Sequence, residues 1–261
     1  MPELERQRKI LEIVEKKGLI SVNKLIKLIG VSPATVRRSL NMMTDKKLIV
    51  RTHGYVHSLD NINLTVRPID ERLELSYPEK RAIAQAALKF IEPGMNIILD
   101  SGTTTLELAR LLLNHKLTIM TNSLDICAVL SQTQNTVMCT GGIQDGRTRC
   151  FLGPDAVKFI SRFEVDAAFM GTTGVRSRVG LTTSSPLQAD FKQACVSSAK
   201  HVYAIFDTSK FESSSLYTFA EFKDLDLMII SKPEDFSTAS TFFEEFDEFG
   251  YPYVTVEARS K

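Results

Sequence analysis

Hydrophobic residues recur at helical spacing through the N-terminal part of the chain and predict three short helices. The first run, residues 4–17, ends at Gly18. The second begins after Ser21, a residue suited to capping a helix N-terminus, and stops at Gly30. The third opens with Ser32-Pro33, a capping serine followed by proline at the first helical position. The short turn between the second and third helices is typical of a helix-turn-helix.

The third helix has an apolar face and a polar face. Val36, Leu40 and Met43 fall at helical spacing and should pack inward. Arginine and asparagine on the opposite face suit guanine and adenine, and hydroxyls at the helix start suit a DNA phosphate. The alternative is a solvated helix face, which the preceding helix and turn disfavour. The predicted DNA-binding residues of this helix are Ser32, Ala34, Thr35, Arg37, Arg38 and Asn41.

Two short β-prone runs, residues 48–51 and 55–57, surround Thr52-His53-Gly54. They predict a hairpin, the wing of a winged helix-turn-helix. Arg51 and His53 are its candidate contacts to the DNA backbone or the minor groove. For His53, the alternative is a polar turn residue that does not bind DNA.

Helical and strand patterns alternate in the rest of the chain, after a polar stretch at residues 59–76 that we interpret as a linker. Such alternation predicts a mostly parallel sheet covered by helices on both faces. The predicted fold class is α/β, with an N-terminal winged helix-turn-helix joined to a larger α/β domain. Helices are predicted at residues 78–91, 104–113, 124–131, 155–163, 187–199 and 236–246, and strands at 96–99, 117–120, 137–140, 167–170, 202–206, 227–230 and 253–256.

Glycine and hydroxyl residues follow successive predicted strands, where ligands of such folds bind. Residues 100–105 open a helix and offer N–H groups and hydroxyls to an anion. They lack the signatures of nucleotide and dinucleotide loops, which favours a small phosphorylated, polyhydroxylated ligand. The alternative is a series of good turns and a well-capped helix. The candidate effector-binding residues are Asp100, Ser101, Gly102, Thr103, Thr104, Thr105, Thr121, Asn122, Gly141, Gly142, Lys192 and Lys210.

Composition excludes several classes of protein. Of 261 residues, 43% are hydrophobic and 24% are charged, which is ordinary for a globular chain and unlike a disordered or fibrous one. No apolar run approaches the roughly 20 residues of a membrane span, and the charged N-terminus is unlike a signal peptide. We therefore expect a cytoplasmic protein with no membrane partner. The four cysteines and four histidines show no metal-ligand spacing, so we expect reduced thiols, no metal and no cofactor.

The net charge of +1 conceals two oppositely charged parts. Residues 1–58 carry 12 basic and 5 acidic side chains, whereas the remaining residues carry 20 and 26. A small basic part attached to a larger acidic one is typical of a nucleic-acid reader joined to a second function. A lysine-rich helical domain that is basic only for solubility is the alternative.

The order of these motifs resembles the DeoR family of bacterial transcriptional regulators over essentially the whole chain. The matching stretches are ILEIVEKKGLISVNKLIKLIGVSPATVRRSL, KRAIAQAA, GMNIILDSGTTT, LTIMTNSL, Gly141-Gly142, DAAFMGTTGV, GLTT and DTSKF. The resemblance implies a winged helix-turn-helix at residues 1–58, a linker at 59–76 and a sensor domain at 77–261 that is similar to ribose-5-phosphate isomerase. It further implies a homodimer or homotetramer that binds double-stranded operator DNA, represses a carbohydrate uptake or catabolic operon, and responds to a phosphorylated sugar.

Two positions depart from the family pattern. The family usually has Arg-Arg-Asp where this chain has Arg37-Arg38-Ser39, and His-Gly-Gly where it has His53-Gly54-Tyr55. We expect the loss of the acidic residue to make the DNA-reading helix slightly more positive. Tyr55 is expected to change the shape of the wing. Both changes predict an altered operator preference.

An active sugar-phosphate isomerase that carries a DNA-binding domain is the alternative function. Isomerisation needs a positioned base beside the carbonyl group of the sugar. The isomerases carry Gly-Ala-Asp-Glu where this chain has Gly171-Thr172-Thr173-Gly174, so neither carboxylate is present. The nearest acids, Asp166 and Asp190, lie before the strand and within a helix. We therefore expect binding without catalysis, whereas a plain architectural DNA-binding protein would leave the strand-end loops unexplained.

Overall fold

The computed structural model describes residues 2–17, 19–45, 48–52, 55–58, 69–232 and 236–258. The chain divides into two compact units, Met1–Val66 and Arg67–Lys261, which we call the N-terminal unit and the C-terminal unit. Within the described residues, no helix is both long and apolar enough to cross a lipid bilayer.

The described part of the N-terminal unit is a winged helix-turn-helix. In chain order its elements are α1 (Glu3–Lys17), β1 (Leu19–Ser21), α2 (Val22–Ile29), α3 (Pro33–Asp45), β2 (Ile49–Thr52) and β3 (Tyr55–Ser58). The strands form an antiparallel sheet in the order β1-β3-β2. The predicted hairpin is therefore present, and β1 adds a third strand to it.

A small apolar core holds the N-terminal unit together. Val36, Leu40 and Met43 of α3 are fully buried, as the spacing predicts, and pack with residues of α1 and α2. Burial of each such side chain contributes about 1.5–3 kcal/mol. Ile20 of β1 joins this core opposite Val56 of β3. A three-residue strand is too short to show alternation, and its partner is distant in sequence, so β1 was not predicted.

The C-terminal unit is a layered α/β structure. Its described helices are α4 (Ile69–Glu74), α5 (Tyr77–Ala87), α6 (Thr103–Leu111), α7 (Leu124–Leu130), α8 (Pro154–Ile160), α9 (Pro186–Ser197) and α10 (Phe236–Phe249). Its described strands are β4 (Asn96–Leu99), β5 (Thr118–Thr121), β6 (Thr136–Cys139), β7 (Ile143–Asp145), β8 (Cys150–Leu152), β9 (Val165–Met170), β10 (Gly174–Arg176), β11 (Gly180–Thr183), β12 (Ala199–Phe206), β13 (Tyr217–Glu221), β14 (Leu227–Ser231) and β15 (Tyr253–Val256).

Seven parallel strands form the main sheet in the order β15-β14-β12-β9-β4-β5-β6. This arrangement confirms the predicted α/β fold class. The chain proceeds outward from β4 through β5 to β6 on one side, and from β9 through β12 and β14 to β15 on the other. The direction of winding thus reverses between β4 and β9. In open α/β sheets, ligands bind beside the carboxyl ends of the strands at such a switch point.

Alternate residues of the central strands enter different apolar layers. Ile97 and Leu99 of β4 pack with helices α5, α6 and α7 on one face, through residues such as Leu108. Ile98 packs on the other face with α8, α9 and α10, through residues such as Phe191. Both faces of the sheet are therefore covered, as the near-continuous apolar strands predict.

Several short elements differ from the sequence prediction. Helix α4 lies inside the predicted linker 59–76, where Ile69 is buried and its N–H bonds the Arg147 carbonyl at 3.1 Å. Residues 69–76 therefore belong to the C-terminal unit, while 59–68 lie outside the described residues. The hairpin β7-β8 and the antiparallel sheet β10-β11-β13 were also not predicted. Their strands have three to five residues, which leaves little periodicity to detect.

Candidate functional site

Helix α3 begins with a serine cap. Ser32 Oγ accepts the Thr35 backbone N–H at 3.2 Å, and the hydroxyls of Ser32 and Thr35 lie 2.7 Å apart. This contact satisfies one of the free N–H groups of the first turn. The start of the helix is therefore fixed, and Ser32 remains exposed there.

The side of α3 opposite the core is open to solvent. Ala34, Arg37, Arg38 and Asn41 are exposed, whereas Thr35 is half-buried. Both arginines thus lie on the accessible surface of the N-terminal unit. Their guanidinium groups can reach an extended partner without any rearrangement of the core.

Ser39 lies on the inner side of α3, not on its exposed face. Its side chain is fully buried, and its Oγ accepts a hydrogen bond from Arg6 Nε of α1 at 2.7 Å. Arg6 also forms an ion pair with Glu3. The position at which the family usually has an acidic residue therefore does not belong to the exposed face of α3, and the slightly more positive helix stays a prediction. The Ser39 hydroxyl joins α3 to α1 inside the unit.

Of the two candidate DNA contacts in the wing, Arg51 and His53, the structure describes the backbone of the first. Arg51 lies in β2, where its backbone is opposite Val56 of β3. His53 lies outside the described residues, as does Gly54, which follows it. Tyr55 begins β3.

Asp100 follows β4 at the switch point and is fully buried. Its Oδ2 accepts the Gly171 backbone N–H at 3.1 Å and a hydrogen bond from Lys192 Nζ. Lys192, which is 6% exposed, also donates to the Gly171 carbonyl at 2.9 Å and lies 4.9 Å from the centre of the Phe219 ring. The Asp100–Lys192 ion pair and its bonds to Gly171 therefore join α9 to the carboxyl ends of β4 and β9, where a ligand is predicted to bind.

Two buried oxygens at the carboxyl ends of the strands lack hydrogen-bond partners among the described residues. They are Oδ1 of Asp100 and Oδ1 of Asn122, which follow the neighbouring strands β4 and β5. The Asn122 amide nitrogen donates to the Phe151 carbonyl at 3.1 Å, so its oxygen points away from that contact. An unsatisfied buried acceptor costs about 1–3 kcal/mol. Hydroxyl or ammonium donors of a ligand fit both positions.

The loop at residues 101–105 leads into α6. Gly102 has φ −162° and ψ 163°, an extended conformation that any residue can adopt. Thr105 Oγ1 lies 2.6 Å from the Asp100 carbonyl oxygen and 2.9 Å from that of Gly102, so its hydroxyl is engaged within the loop. Thr103 and Thr104 are buried in the first turn, and Ser101 is half-buried. The backbone N–H groups of this turn carry the positive end of the helix dipole.

The remaining strand-end candidates have local roles in the fold. Thr121 Oγ1 accepts the Ser123 N–H at 3.0 Å. Gly141 and Gly142 have φ values of 65° and 110°, which favour glycine. A Cβ on Gly142 would lie 2.6 Å from the Leu152 carbonyl oxygen, so a side chain is excluded there by the strand β8. At Gly141, by contrast, an added Cβ would meet no atom within 4 Å.

Lys210 lies at the edge of the same region. Its Nζ is 4.0 Å from Asp207 Oδ2, and its side chain is 30% exposed. Asp207 is buried, and its Oδ1 accepts the Ser209 N–H at 3.1 Å. Lys210 is therefore close to a carboxylate that the fold holds in place, and it can also be reached from solvent.

Two further basic residues reach this region, and neither was predicted. Lys80, which is 4% exposed, donates from Nζ to the carbonyl oxygens of Arg72 and Leu75. Burial lowers the pKa of Lys80 to about 8, because the attraction of Asp207 is opposed by the positive charges of Lys210 and Arg72. Burial also lowers the pKa of Arg72, although the nearby carboxylates of Asp100 and Asp207 act in the opposite direction and raise it.

The position of Lys80 in the sequence could have indicated a buried lysine. It lies one helical turn before Ile83 and Ala84, on the apolar face of α5. A lysine in such a stripe has to find a buried partner or lose its charge. Arg72 carried no comparable signal, because the predicted linker concealed α4.

Among the described residues, basic side chains outnumber acidic ones at the carboxyl ends of these strands. The basic groups are Arg72, Lys80, Lys192 and Lys210, and the acidic groups are Asp100, Glu107 and Asp207. A multiply charged anion such as a phosphate ester balances this excess.

The two acids closest in sequence to the isomerase motif lie elsewhere. Asp166 accepts the Asn96 N–H at 2.9 Å at the start of β4 and pairs with Lys200 at 3.2 Å. It therefore lies at the amino ends of the strands, whereas Asp100 lies at their carboxyl ends. Asp190 is exposed on α9. Neither carboxylate lies at the switch point.

Comparison with known proteins covers both units. A model of the DeoR-like helix-turn-helix domain matches residues 6–61, and a model of the DeoR C terminal sensor domain matches residues 75–232. The HTH-type transcriptional regulator IolR of Bacillus subtilis is 35% identical over 234 residues, 89% of this chain and 92% of that relative. The putative aga operon transcriptional repressor of Escherichia coli O157:H7 is 30% identical over 231 residues, 87% of this chain and 86% of that relative. The solved ribose 5-phosphate isomerase A of Methanocaldococcus jannaschii is similar with a TM-score of 0.38 and 19% identity, covering 50% of this chain and 52% of that one.

Proposed function

The chain belongs to the DeoR family of transcriptional regulators, and we propose that it represses a carbohydrate uptake or catabolic operon until a phosphorylated sugar binds its sensor domain. The observation that carries the effector assignment is the basic cluster beside two unsatisfied buried oxygens at the switch point. One relative is named as an operon repressor, which supports repression as the mode of control. The proposed parts are a DNA-binding domain at 1–58, a linker that begins at 59 and is shorter than the predicted 59–76, and a sensor domain that includes α4 together with residues 77–261.

The proposed DNA reader is the exposed face of α3. Arg37, Arg38 and Asn41 are the candidates for base contacts in the major groove, because bidentate arginine and asparagine contacts distinguish guanine and adenine. Ser32 and the start of α3 would bind phosphate. The remaining proposed contacts are Ala34, Thr35, Arg51 and His53.

The proposed effector has a phosphate at one end and hydroxyls at the other. Arg72, Lys80 and Lys210 would bind the phosphate together with the N-terminal turn of α6. Hydroxyl groups would donate to the free oxygens of Asp100 and Asn122. Lys192 holds Asp100 in place, so its proposed role is to orient that carboxylate, since its ammonium is already engaged.

Coupling to DNA is proposed to pass through α4. Lys80 Nζ bonds two carbonyl oxygens at the end of this helix, and α4 starts close to the boundary between the units. A phosphate that attracts Lys80 would therefore change how the first helix of the sensor domain is held. Operator half-sites recur about 34–36 Å apart, so the proposed DNA-binding form is a homodimer or homotetramer in the cytoplasm.

The alternative, an active isomerase, is not favoured. The acids Asp166 and Asp190 lie away from the switch point, and Asp100 is engaged by Lys192. We therefore propose a protein that binds its sugar phosphate without converting it. Steady conversion of a pentose or hexose phosphate by the purified protein would reverse this assignment.

The proposed function is tested with the purified full-length protein and a panel of hexose and pentose phosphates. Inorganic phosphate and the unphosphorylated sugars are the controls. A true effector stabilises the folded protein by about 2.7 kcal/mol at a hundred times its Kd, measured as a rise in Tm. The same compound should release a fluorescent DNA duplex selected by the protein from a random pool. If no sugar phosphate changes either Tm or DNA binding, the effector assignment is wrong.

A further inference from the structure

The hairpin β7-β8 is bonded both to the loop after β5 and to helix α4. The Phe151 backbone N–H donates to the Asn122 carbonyl at 2.8 Å, and the Asn122 side-chain amide donates to the Phe151 carbonyl at 3.1 Å. In the turn of the hairpin, the Arg147 carbonyl accepts the Ile69 N–H of α4 at 3.1 Å. The hairpin therefore connects the candidate effector site with the first described helix of the C-terminal unit.

Arg149, the last residue of the hairpin turn, has an unusual backbone conformation. Its φ is 49°, in the left-handed region that residues other than glycine rarely adopt. Its carbonyl accepts the Leu124 N–H at 2.9 Å, just after the loop that carries Asn122. Such conformations cluster at ligand sites and switch regions, where the surrounding contacts maintain them. A movement of the loop after β5 should therefore move the Arg149 backbone.

The Arg149 guanidinium has two carboxylate neighbours, which lie on different helices. Its Nη2 donates to both oxygens of Asp70, near the start of α4, at 2.8 and 2.7 Å. Its Nη1 lies 3.4 Å from Oδ1 of Asp125 in the first turn of α7, which is a longer and weaker contact. The other oxygen of Asp125, Oδ2, is buried and has no hydrogen-bond partner among the described residues. Arg149 is thus bonded fully to one carboxylate and incompletely to the other.

We propose that Arg149 is a latch with two positions, which holds α4 through Asp70 in the DNA-binding form and moves to Asp125 when the effector binds. This inference rests on the proposed function, in which α4 carries the signal between the domains. Lys80 bonds the other end of the same helix. An effector hydroxyl that donates to Asn122 Oδ1 would act directly on the loop to which the Arg149 backbone is bonded.

The exchange of partners conserves the ion pairing of the guanidinium. Release of Asp70 costs little, since its side chain is 67% exposed and water can replace the guanidinium at its oxygens. Asp125, whose side chain is 22% exposed, gains a donor for a buried oxygen that has none. The two positions can therefore be close in free energy. A ligand shifts such an equilibrium by binding one of the two states more tightly.

The two carboxylates should affect effector binding in opposite directions. Asp70→Asn weakens the DNA-binding position, so it should lower the Kd of the effector and raise the Kd of DNA. Asp125→Asn weakens the effector-bound position, so it should raise the Kd of the effector and leave that of DNA unchanged. We expect changes of about two- to fivefold, the contribution of an exposed ion pair. Carboxylates that only support the fold would not move the two affinities in opposite directions.

The test uses the purified full-length protein, the selected DNA duplex and the sugar phosphate of the panel that raises Tm most. Isothermal titration gives the Kd of the sugar phosphate, and fluorescence anisotropy gives the Kd of the duplex. Glu257→Gln is the matched control, because Glu257 is an exposed carboxylate whose ion pair is with Lys232. Both of its affinities should equal those of the wild type.

A double-mutant cycle shows whether Asp70 acts through Arg149. Asp70→Asn should have no further effect in a protein that already carries Arg149→Gln, because the two residues form one interaction. An effect of Asp70→Asn that persists in Arg149→Gln would overturn the proposal. Shifts of the effector Kd in the same direction in Asp70→Asn and Asp125→Asn would overturn it as well.

Hydrogen exchange separates the latch from the proposed function, since it needs neither ligand nor DNA. In Asp70→Asn and Arg149→Gln, the amides of α4 should exchange about two- to fivefold faster than in the wild type, whereas Asp125→Asn should leave them unchanged. Unchanged exchange of α4 in Asp70→Asn would overturn the latch. Faster exchange in a protein that binds no sugar phosphate would support the hold on α4 and overturn the proposed function, together with the effector as the trigger.

Discussion

The two units place their candidate functional groups in opposite environments. In the N-terminal unit, Arg37, Arg38 and Asn41 stand on the solvent side of a helix whose other side is core. In the C-terminal unit, Asp100 and Lys192 are buried among strand ends and bonded to each other. The exposed arrangement suits a large partner, and the buried arrangement suits a small one.

The difference follows from the sizes of the partners. A DNA duplex brings its phosphates to the protein surface, so exposed cations attract it through water and lose strength as salt rises. A small ligand has few atoms with which to offset the loss of its translational freedom. Its binding groups therefore have to be held in advance and away from water, where each charge interacts more strongly.

The burial of charge also makes the two units unequal in their tolerance of mutation. Removing an exposed arginine leaves no unpaired charge behind. Removing one partner of a buried ion pair leaves the other charge without compensation, which costs more than the pair contributes. The same kind of substitution should thus affect binding in one unit and folding in the other.

The largest effect is expected from Lys192→Met. The substitution removes the ammonium that bonds the fully buried carboxylate of Asp100, and should lower the free energy of unfolding by about 3–5 kcal/mol. Urea unfolding followed by circular dichroism measures it. Lys200→Met is the matched control, because Lys200 forms exposed pairs with Glu164 and Asp166 that contribute about 1 kcal/mol or less. Equal losses in the two variants would remove the contrast between buried and exposed charge.

The next largest effect is expected from Arg38→Ala. DNA binding should weaken by about 1–3 kcal/mol and discriminate less between bases, because a bidentate contact is lost. The free energy of unfolding should stay within about 0.5 kcal/mol, since the side chain is exposed. Fluorescence anisotropy with the selected duplex measures the affinity.

Arg8→Ala is the control for Arg38. Arg8 is an exposed arginine of α1 whose ion pair partner is Glu12, so the substitution removes the same charge outside α3. We expect little change in DNA affinity from it. If Arg8→Ala and Arg38→Ala weaken binding equally, α3 is not the DNA reader.

The layout of both units could largely be predicted from sequence periodicity. The alternation of helix and strand predicted the parallel sheet, and helical spacing identified Val36, Leu40 and Met43 as core residues. The pattern of polar residues after strands predicted that Asp100 lies at the carboxyl end of β4, where the structure has it. These predictions succeed because burial and strand direction are properties of the local pattern.

The chemistry of the effector site was less predictable. Pairing of Asp100 with Lys192 joins residues that are far apart in sequence, and no local pattern reports it. Arg72 was hidden because a six-residue helix in a polar stretch has no detectable period. The bond between Ser39 and Arg6, which also joins residues far apart in sequence, was not predicted. Long-range side-chain pairing decides the first and the last of these cases, and the shortness of α4 decides the second.

The pH dependence of effector binding should sharpen the contrast, because the buried site contains a lysine whose charge titrates near neutral pH. Burial lowers the pKa of Lys80 to about 8, so the side chain loses its charge as the pH rises through that value. A bound phosphate favours the charged form and raises the pKa, so binding takes up a proton above pH 8. Affinity for a sugar phosphate should therefore fall by up to tenfold, or about 1.4 kcal/mol, per pH unit above the free pKa.

Isothermal titration between pH 7 and pH 9 tests this linkage. Lys80→Arg is the matched variant, because arginine keeps its charge throughout this range. Its affinity should change little with pH. If wild type and Lys80→Arg lose affinity in parallel, Lys80 does not contact the phosphate.

The smallest effect is expected from Ser39→Ala, which asks whether the inner face of α3 is separate from its DNA-reading face. The substitution removes the acceptor of Arg6 Nε and should destabilise the N-terminal unit by about 1 kcal/mol, because Arg6 keeps its ion pair with Glu3. Hydrogen exchange of α1 and α3 measures this loss. Thr44→Val is the control, since the Thr44 hydroxyl bonds the Leu40 carbonyl of its own helix. DNA affinity should be unchanged in both variants. A loss of affinity in Ser39→Ala without faster exchange would mean that Ser39 acts on DNA and that the two faces are not independent.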